Sequence, residues 1–324
     1  ALAASLALAH VVGPGDLHVT DVHAVLTHHL GLGADAPPSP TSDAIVWHLR
    51  LPRALLALLI GAALGAAGAL PQGVFRIPLA EPGILGVSAG AALAAVLGFA
   101  LGLDALGLWV TPGLAALGAA LMLGLLVVFV GARLEIATLL LAGVAIASVT
   151  SALTTLVLAL HTERWDLGVR VLRWLMGSFE GRSWAHLGLA TPPLLAGLAL
   201  ALWLRRDLDV LALGTDTARS LGVALRRFHA LAILAIGLLV GTATALTGAI
   251  GFVGLIVPHL ARLLVGAGHR GLIPLAALLG GLVLLLVDTA TRALTELALP
   301  PGVVTSLLGG PAFLWVLWRH QRRD

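Results

Sequence analysis

The sequence predicts an all-α polytopic membrane protein of about ten transmembrane helices, and three observations carry that prediction. Of its 324 residues 59% are hydrophobic and only 11% charged, and the mean hydropathy of +1.03 lies far from the balance of a soluble domain. Successive windows of about 17–25 residues carry few or no charges, the length at which a helix crosses about 30 Å of hydrocarbon. The apolar runs are continuous rather than alternating, which excludes the strands of a transmembrane barrel. A single membrane domain over 1–324 follows.

The elements read in order as follows. The run Ala1–Val12 is too short to span and reads as the remainder of a first helix whose start is missing. A signal peptide competes with that reading, although no basic stretch precedes the run and no clear cleavage site follows it. A polar loop, Gly13–Asp43, carries His18, His23, His28 and His29 and the turn-rich ADAPPSP. Spans then fall at Leu49–Leu70, Ile84–Leu103, Leu108–Gly131, Ile136–Leu160, Trp184–Leu204, Phe228–Thr247, Gly251–Val265, Leu272–Leu294 and Val303–Trp318. Ten spans put both ends of the chain on one side. Alternating loops place twelve of the 19 Arg on that side and seven (Arg50, Arg53, Arg164, Arg170, Arg173, Arg182 and Arg292) on the other. The richer side is expected in the cytoplasm.

Two features suggest a bundle with internal symmetry. Gly61, Gly65 and Gly68 in the second span, and Gly237 and Gly241 in the seventh, have the spacing that lets helix backbones approach closely. Those two spans also resemble each other weakly, as in an inverted repeat of five spans per half. Between the second and third spans the stretch FRIPLAEPGILGVSAGAAL interrupts the pattern. Pro78 and Pro82 stop one helix, and Gly83 and Gly86 allow the next to turn back.

Composition excludes several chemistries. There is no Lys, hence no phosphate-binding GxxxxGK[ST] loop and no Schiff base, so ATP hydrolysis does not belong to this chain. There is no Cys, hence no disulfide or thiolate. HExxH, GxSxG and dinucleotide fingerprints are absent. A net charge of +3, dispersed along the chain, gives no nucleic-acid footprint, and the pI near 11.1 reflects Arg without Lys or Tyr. His259 and His269 read as structural hydrogen-bonders, and the His-rich loop as a solvated loop or a contact for a metal or haem. Asp288 is the best candidate for ion coupling by a secondary transporter, yet Arg292 one helical turn on makes a local ion pair sufficient. The longest loop on the Arg-rich side, RRDLDVLALGTDTARSLGVALRR at 205–227, is expected to hold a short helix over Thr215–Leu221. Thr215 would be its N-cap, with Asp216 in the first turn and Arg219 near the end.

The motifs LRLPRALLALLIGAALGAAG (49–68), PLAEPGILGVSAGAAL (78–93), LLLAGVAIAS (139–148), WLMGSFEGRSW (174–184), LALGTDTARSLG (211–222), GAIGFVGLIVPHLARLLVGAGHR (248–270) and PPGVVTSLLGGPAFLWVL (300–317) run in order across nearly the whole chain. Together they resemble the FecCD-like permease subunits of binding-protein-dependent ABC importers for iron-siderophores, haem and cobalamin. The resemblance implies a permease that is not itself an enzyme, working in the bacterial inner membrane with a second copy, two ATP-binding subunits and a substrate-binding protein. It implies no cofactor on this chain, with ATP and Mg on the partner ATPase. Arg50, Arg53 and Arg292 would meet acidic side chains of the binding protein, a task for which the planar guanidinium fork suits. Thr215, Asp216, Ala218, Arg219, Leu221 and Gly222 would couple to the ATPase. Gly143, Ser148, Ser151, Thr154, Thr155, Arg170 and Arg173 would line the pathway, along the fifth span and Val169–Gly181. Arg170 and Arg173 would attract anionic groups there or be held by Glu163 or Asp166. Arg76, Ile77, Pro78, Leu79 and Glu81 would form the inner gate. Ile77 stands where the family's usual NPLA motif has Asn, so a more apolar seal is expected. The expected cargo is an iron complex, haem or a ferric siderophore, with cobalamin or another metal complex as the alternative.

Overall fold

A computed structural model describes residues 18–31, 39–75, 80–130, 136–161, 163, 165–293 and 299–321. Among the described residues there are thirteen helices and no strands. These are α1 (Val19–His29), α2 (Pro40–Phe75), α3 (Val87–Ala100), α4 (Val110–Val130), α5 (Ile136–Leu160), α6 (Trp165–Leu175) and α7 (Trp184–Trp203). They continue with α8 (Arg205–Ala212), α9 (Thr215–Ser220), α10 (Leu225–Thr247), α11 (Val253–Val265), α12 (His269–Ala293) and α13 (Pro301–Gln321). The spans predicted beyond Val12 each fall on a helix, and Ala1–Val12 lies outside the described residues. α1, α6, α8 and α9 are short and join the spans.

The core is organised around α2, whose buried face runs almost unbroken from Ala54 to Phe75. Glycine makes this possible. A Cβ at Gly61 would collide with the Gly280 backbone of α12, one at Gly65 with Ala276, and one at Gly68 with Gly254 of α11. Close backbone approach in a bilayer replaces the hydrophobic driving force that is missing there. α3 and α4 meet in the same way through Gly90 and Gly118. Two helices contain a π turn, Ala44–Arg50 at the start of α2 and Gly237–Gly241 within α10.

α3 and α11 are half-length, 14 and 13 residues. At about 1.5 Å per residue they rise about 20 Å, short of the hydrocarbon thickness. Each starts at a break that follows a long span, α2 in one half and α10 in the other. Each is preceded by a residue in the left-handed region: Gly86 at φ 75° and Phe252 at φ 65°. The breaks meet, for the Phe252 N–H donates to Glu81 Oε1 at 3.5 Å and Pro82 packs on Gly254. This pairing of equivalent interruptions is what an inverted repeat produces.

The chain's alternation gives the bundle two ends. One gathers the start of α2, the end of α12, α1 and α6; the other gathers α8, α9 and the start of α12.

Candidate functional site

At the first end, two Arg from distant parts of the sequence, Arg53 and Arg292, converge on one carboxylate, with Arg50 close to Arg292. Asp288, on the last turns of α12, is fully buried. Arg53 of α2 donates to it through Nε at 3.0 and 3.1 Å and through Nη2 at 2.7 Å, and Arg292 Nε lies 3.3 Å from its second oxygen. Arg50 and Arg53 are both electrostatic neighbours of Arg292. One negative charge thus organises two positive ones with a third beside them, and a net positive patch remains. Within it Arg53 retains 21% side-chain exposure, whereas Arg292 retains 9% and Arg50 only 5%. Fork-on-carboxylate geometry fixes Arg53 in orientation as well as place. Arg292 sits one helical turn from Asp288, as its spacing predicts. The same contacts give Asp288 a structural place in the apolar span, as an ion pair with Arg53 and Arg292.

Nearby, α1 is pinned to the start of α2, and the start of α2 to α7. His29 Nε2 and Asp43 Oδ1 are 2.6 Å apart, the His29 ring stacks on Trp47 at 4.0 Å, and Trp184 Nε1 donates to the Trp47 carbonyl at 2.8 Å. No group of three His, Asp or Glu suited to a metal occurs among the described residues.

At the second end, α8 and α9 form the predicted knob. Gly214 at φ 125° and Gly222 at φ 86° bracket α9. The N-cap is Gly214 and not Thr215, which takes the first helical position. Thr215, Asp216, Arg219, Leu221 and Gly222 are exposed, and Asp216 and Arg219 pair at 3.2 Å. Ala218 is the exception. It is fully buried and anchors α9 from below, so it supports the knob without presenting a surface. α8 is tied down by Leu208 and Leu211 and by Asp209, whose Oδ1 accepts from the His269 backbone N–H at 2.8 Å and lies 2.7 Å from its Nδ1. His269 is therefore a structural partner, as its position at a helix end predicts. Gln72, on the last turn of α2, donates to the Leu255 carbonyl at 3.1 Å and accepts from Arg262 at 3.5 Å. A continuous set of contacts thus joins α8 to α12, and α11 to the central helix.

The expected pathway wall divides. Ser148, Ser151 and Thr155 lie on the exposed face of α5. Gly143 and Thr154 do not: they point into the subunit, Thr154 at 8% exposure with its hydroxyl on the Thr150 carbonyl, 2.9 Å away. The reason is that α5 turns the line Gly143, Thr150 and Thr154 toward its neighbours, so only part of its small-residue set remains on the open side. Val169–Gly181 is not one strip of wall either. Its first half belongs to the amphipathic helix α6, which buries Leu167, Val171 and Trp174 at i, i+4 and i+7. Arg170 is held by Asp104 at 2.6 Å and Asp166 at 2.9 Å, Asp104 being a partner that lies 66 positions away. Arg173 borders a cavity with Arg182, whose burial lowers its pKa from the ordinary value.

Of the expected inner gate, Arg76, Ile77, Pro78 and Leu79 lie outside the described residues. Glu81 sits where the two breaks meet, beside a cavity of about 30 Å³ shared with Ser88, Thr244 and Thr247. That space is enough to admit water.

Residues 1–319 match the FecCD transport family. The chain belongs to the FecCD family. It is 45% identical over 286 residues to the vitamin B12 import system permease protein BtuC of Yersinia enterocolitica, a match covering 87% of this chain and 84% of that protein. It is 38% identical over 327 residues to the uncharacterized ABC transporter permease protein YvrB of Bacillus subtilis, covering 99% and 92%. A solved structure described as an inward-facing conformation of a candidate metal-chelate type ABC transporter superposes with a TM-score of 0.81 at 32% identity, covering 93% of this chain and 97% of that one. The protein is accordingly a multi-pass permease subunit of the ABC importer type and not an enzyme itself.

Within this FecCD permease, sequence reasoning missed Asp209, Asp104 and the hub role of Asp288. Each is a carboxylate whose partner comes from a distant segment. The available signal was an acidic residue in or beside an apolar run, which needs a cation somewhere.

Proposed function

We propose that the protein is the membrane-spanning half of an ATP-driven importer for cobalamin, built from two copies of this chain, two ATP-binding subunits and a substrate-binding protein. The observation that carries the cargo assignment is 45% identity to a vitamin B12 import permease across most of both chains. Two of the residues behind the iron-complex reading are engaged within the chain, Arg170 by Asp104 and Asp166 and His29 by Asp43 and Trp47, which weakens its support. An iron chelate remains the second reading because the structural relative at 32% identity is described as of metal-chelate type.

In the proposed orientation the Arg53 end faces outward and the α8–α9 end faces the cytoplasm of a bacterium, with both chain termini inside. Arg53, the most exposed of the three, receives an acidic side chain of the binding protein, with Arg50 and Arg292 behind it adding positive charge and Asp288 holding Arg53 and Arg292 in position. Exposed pairs of this kind contribute about 0.2–1 kcal/mol each, so they set orientation and on-rate more than affinity. The exposed residues of α9 seat in the ATPase. Movement there passes to α12 through Asp209 and His269, with ATP and Mg held by the partner. Ser148, Ser151 and Thr155 face the second copy across a mildly polar path, and the paired breaks with Glu81 close it from within. Uptake of cyanocobalamin, haem and a ferric siderophore into proteoliposomes carrying the assembled complex tests the reading. ATP-dependent cyanocobalamin uptake is expected. Uptake driven by a proton gradient without the ATPase would refute it.

A further inference from the structure

We propose that the α8–α9 end of the subunit carries a headgroup site for an anionic phospholipid. It is built by Trp203 and Arg206 where α7 runs into α8, and by Arg226 and Arg227 at the start of α10. The site depends neither on the cargo nor on which side of the membrane this end faces.

The outer face of α7 sets the depth. Its exposed positions Pro192, Leu195, Ala196, Ala199 and Trp203 fall at i, i+3, i+4, i+7 and i+11, a single stripe that stays apolar until it reaches the indole. The Leu204 N–H donates to the Leu200 carbonyl and the Leu208 N–H to the Leu204 carbonyl, both at 3.0 Å, so helical geometry continues into α8. Arg206, which is exposed, therefore stands one turn beyond Trp203 on the same stripe, about 4.5 Å further along the axis. Apolar residues, then an indole, then a guanidinium is the order in which hydrocarbon, interface and headgroups succeed one another in a bilayer.

Further cations arrive from another segment. α10 packs on α7 and brings Arg227 over the Trp203 ring, with its Cζ 5.9 Å from the ring centroid, and Arg226 precedes it; both are exposed. Cations from two segments thus flank one indole at the edge of the span. Among the described residues none of Arg206, Arg226 and Arg227 has an ion pair. Of the carboxylates close by in sequence, Asp209 is engaged by His269, which leaves Asp207 against three guanidiniums. The surface is positive, and the anion that a bilayer itself supplies at this depth is a phosphodiester. Guanidinium forks suit its paired oxygens. An acidic face of the ATP-binding subunit fits less well, because Trp203 ends the apolar stripe of a span and does not belong to the exposed knob of α9.

The test is lipid binding to the purified full-length permease, alone and assembled with the ATP-binding subunits, read by native mass spectrometry with phosphatidylglycerol, phosphatidylcholine and inorganic phosphate as separate probes. Phosphatidylglycerol is expected to bind at least fivefold more tightly than phosphatidylcholine, and excess phosphate should not displace it. Arg206→Gln and Arg227→Gln should each weaken phosphatidylglycerol about fivefold, the scale of one basic residue at a membrane surface, with phosphatidylcholine binding and the thermal midpoint unchanged. Arg270→Gln removes the same charge from an exposed position at the same end, on α12, and should leave phosphatidylglycerol binding as in wild type. Equal affinity for the two lipids would overturn the site, and so would an equal loss from all three substitutions, which would reduce it to diffuse charge. Displacement of the lipid by phosphate would overturn it in favour of a pocket for free anions. Loss of the ATP-binding subunits from the Arg206 and Arg227 variants, with phosphatidylglycerol binding retained, would also overturn it by assigning the cluster to that partner. None of these outcomes touches the importer reading, which uptake measures.

Discussion

α2 and α5 are nearly equal in mean hydropathy, yet 78% of the most apolar window of α2 is buried within the subunit and only 17% of that of α5. Hydropathy therefore marks both as spans and says nothing about what surrounds them. The difference is written in the small residues. In α2 they are Gly61, Gly65 and Gly68, which admit neighbouring backbones. In α5 the open face carries hydroxyls that satisfy themselves, Ser148 on the Val144 carbonyl at 2.8 Å and Thr155 on the Ser151 carbonyl at 3.0 Å. Such a face needs no partner to be stable, and it can stand against lipid, water or a second copy.

Substitutions should separate the two helices by their effects, the largest first. Asp288→Ala, in the hub that α12 shares with α2, leaves Arg53 and Arg292 uncompensated and is expected to cost about 3–5 kcal/mol. Thermal unfolding in detergent would register it, and Asp288→Asn should recover part of the loss by keeping an acceptor. Gly61→Leu forces a side chain into the Gly280 backbone, with an expected cost of about 1–3 kcal/mol or failure to fold. Ser151→Leu, on α5, should fall within about 0.5 kcal/mol of wild type by the same measurement, yet reduce transport. Equal destabilisation by Gly61→Leu and Ser151→Leu would erase the distinction between the helices. Arg53→Glu should weaken binding of the substrate-binding protein in a surface-binding assay, with a smaller effect at high salt. Affinity unchanged at low salt would remove Arg53 from that interface.

Much of this architecture was legible in the sequence. The spans after Val12, the interruption before α3 and the knob at α9 follow from hydropathy, Pro and Gly placement, and charge at a short helix's ends. The inverted repeat was visible only as a faint likeness. The structure adds that Gly86 and Phe252 share a left-handed conformation before the two half-length helices. The faces of α5 were not legible, because a helix apolar all round has no periodicity to distinguish Thr154 from Thr155. Arg53 with Asp288, Arg170 with Asp104 and Asp209 with His269 were also beyond reach, since each pair closes over 60 or more positions. α6 was legible but not read: Leu167, Val171 and Trp174 have helical spacing, with Arg170 and Arg173 beside them.

The central claim is that the open face of α5 lines a water-filled path between two copies and does not face lipid. The chain has no Cys, so a single introduced thiol reports its own surroundings. Ser148→Cys, Ser151→Cys and Thr155→Cys in the membrane-embedded complex should react with a small polar thiol reagent, with Ser151→Cys forming a cross-linked dimer on oxidation. Leu121→Cys, exposed on α4, should resist both. Labelling of Leu121→Cys alone, with the three α5 thiols inert in a transport-competent complex, would contradict the account.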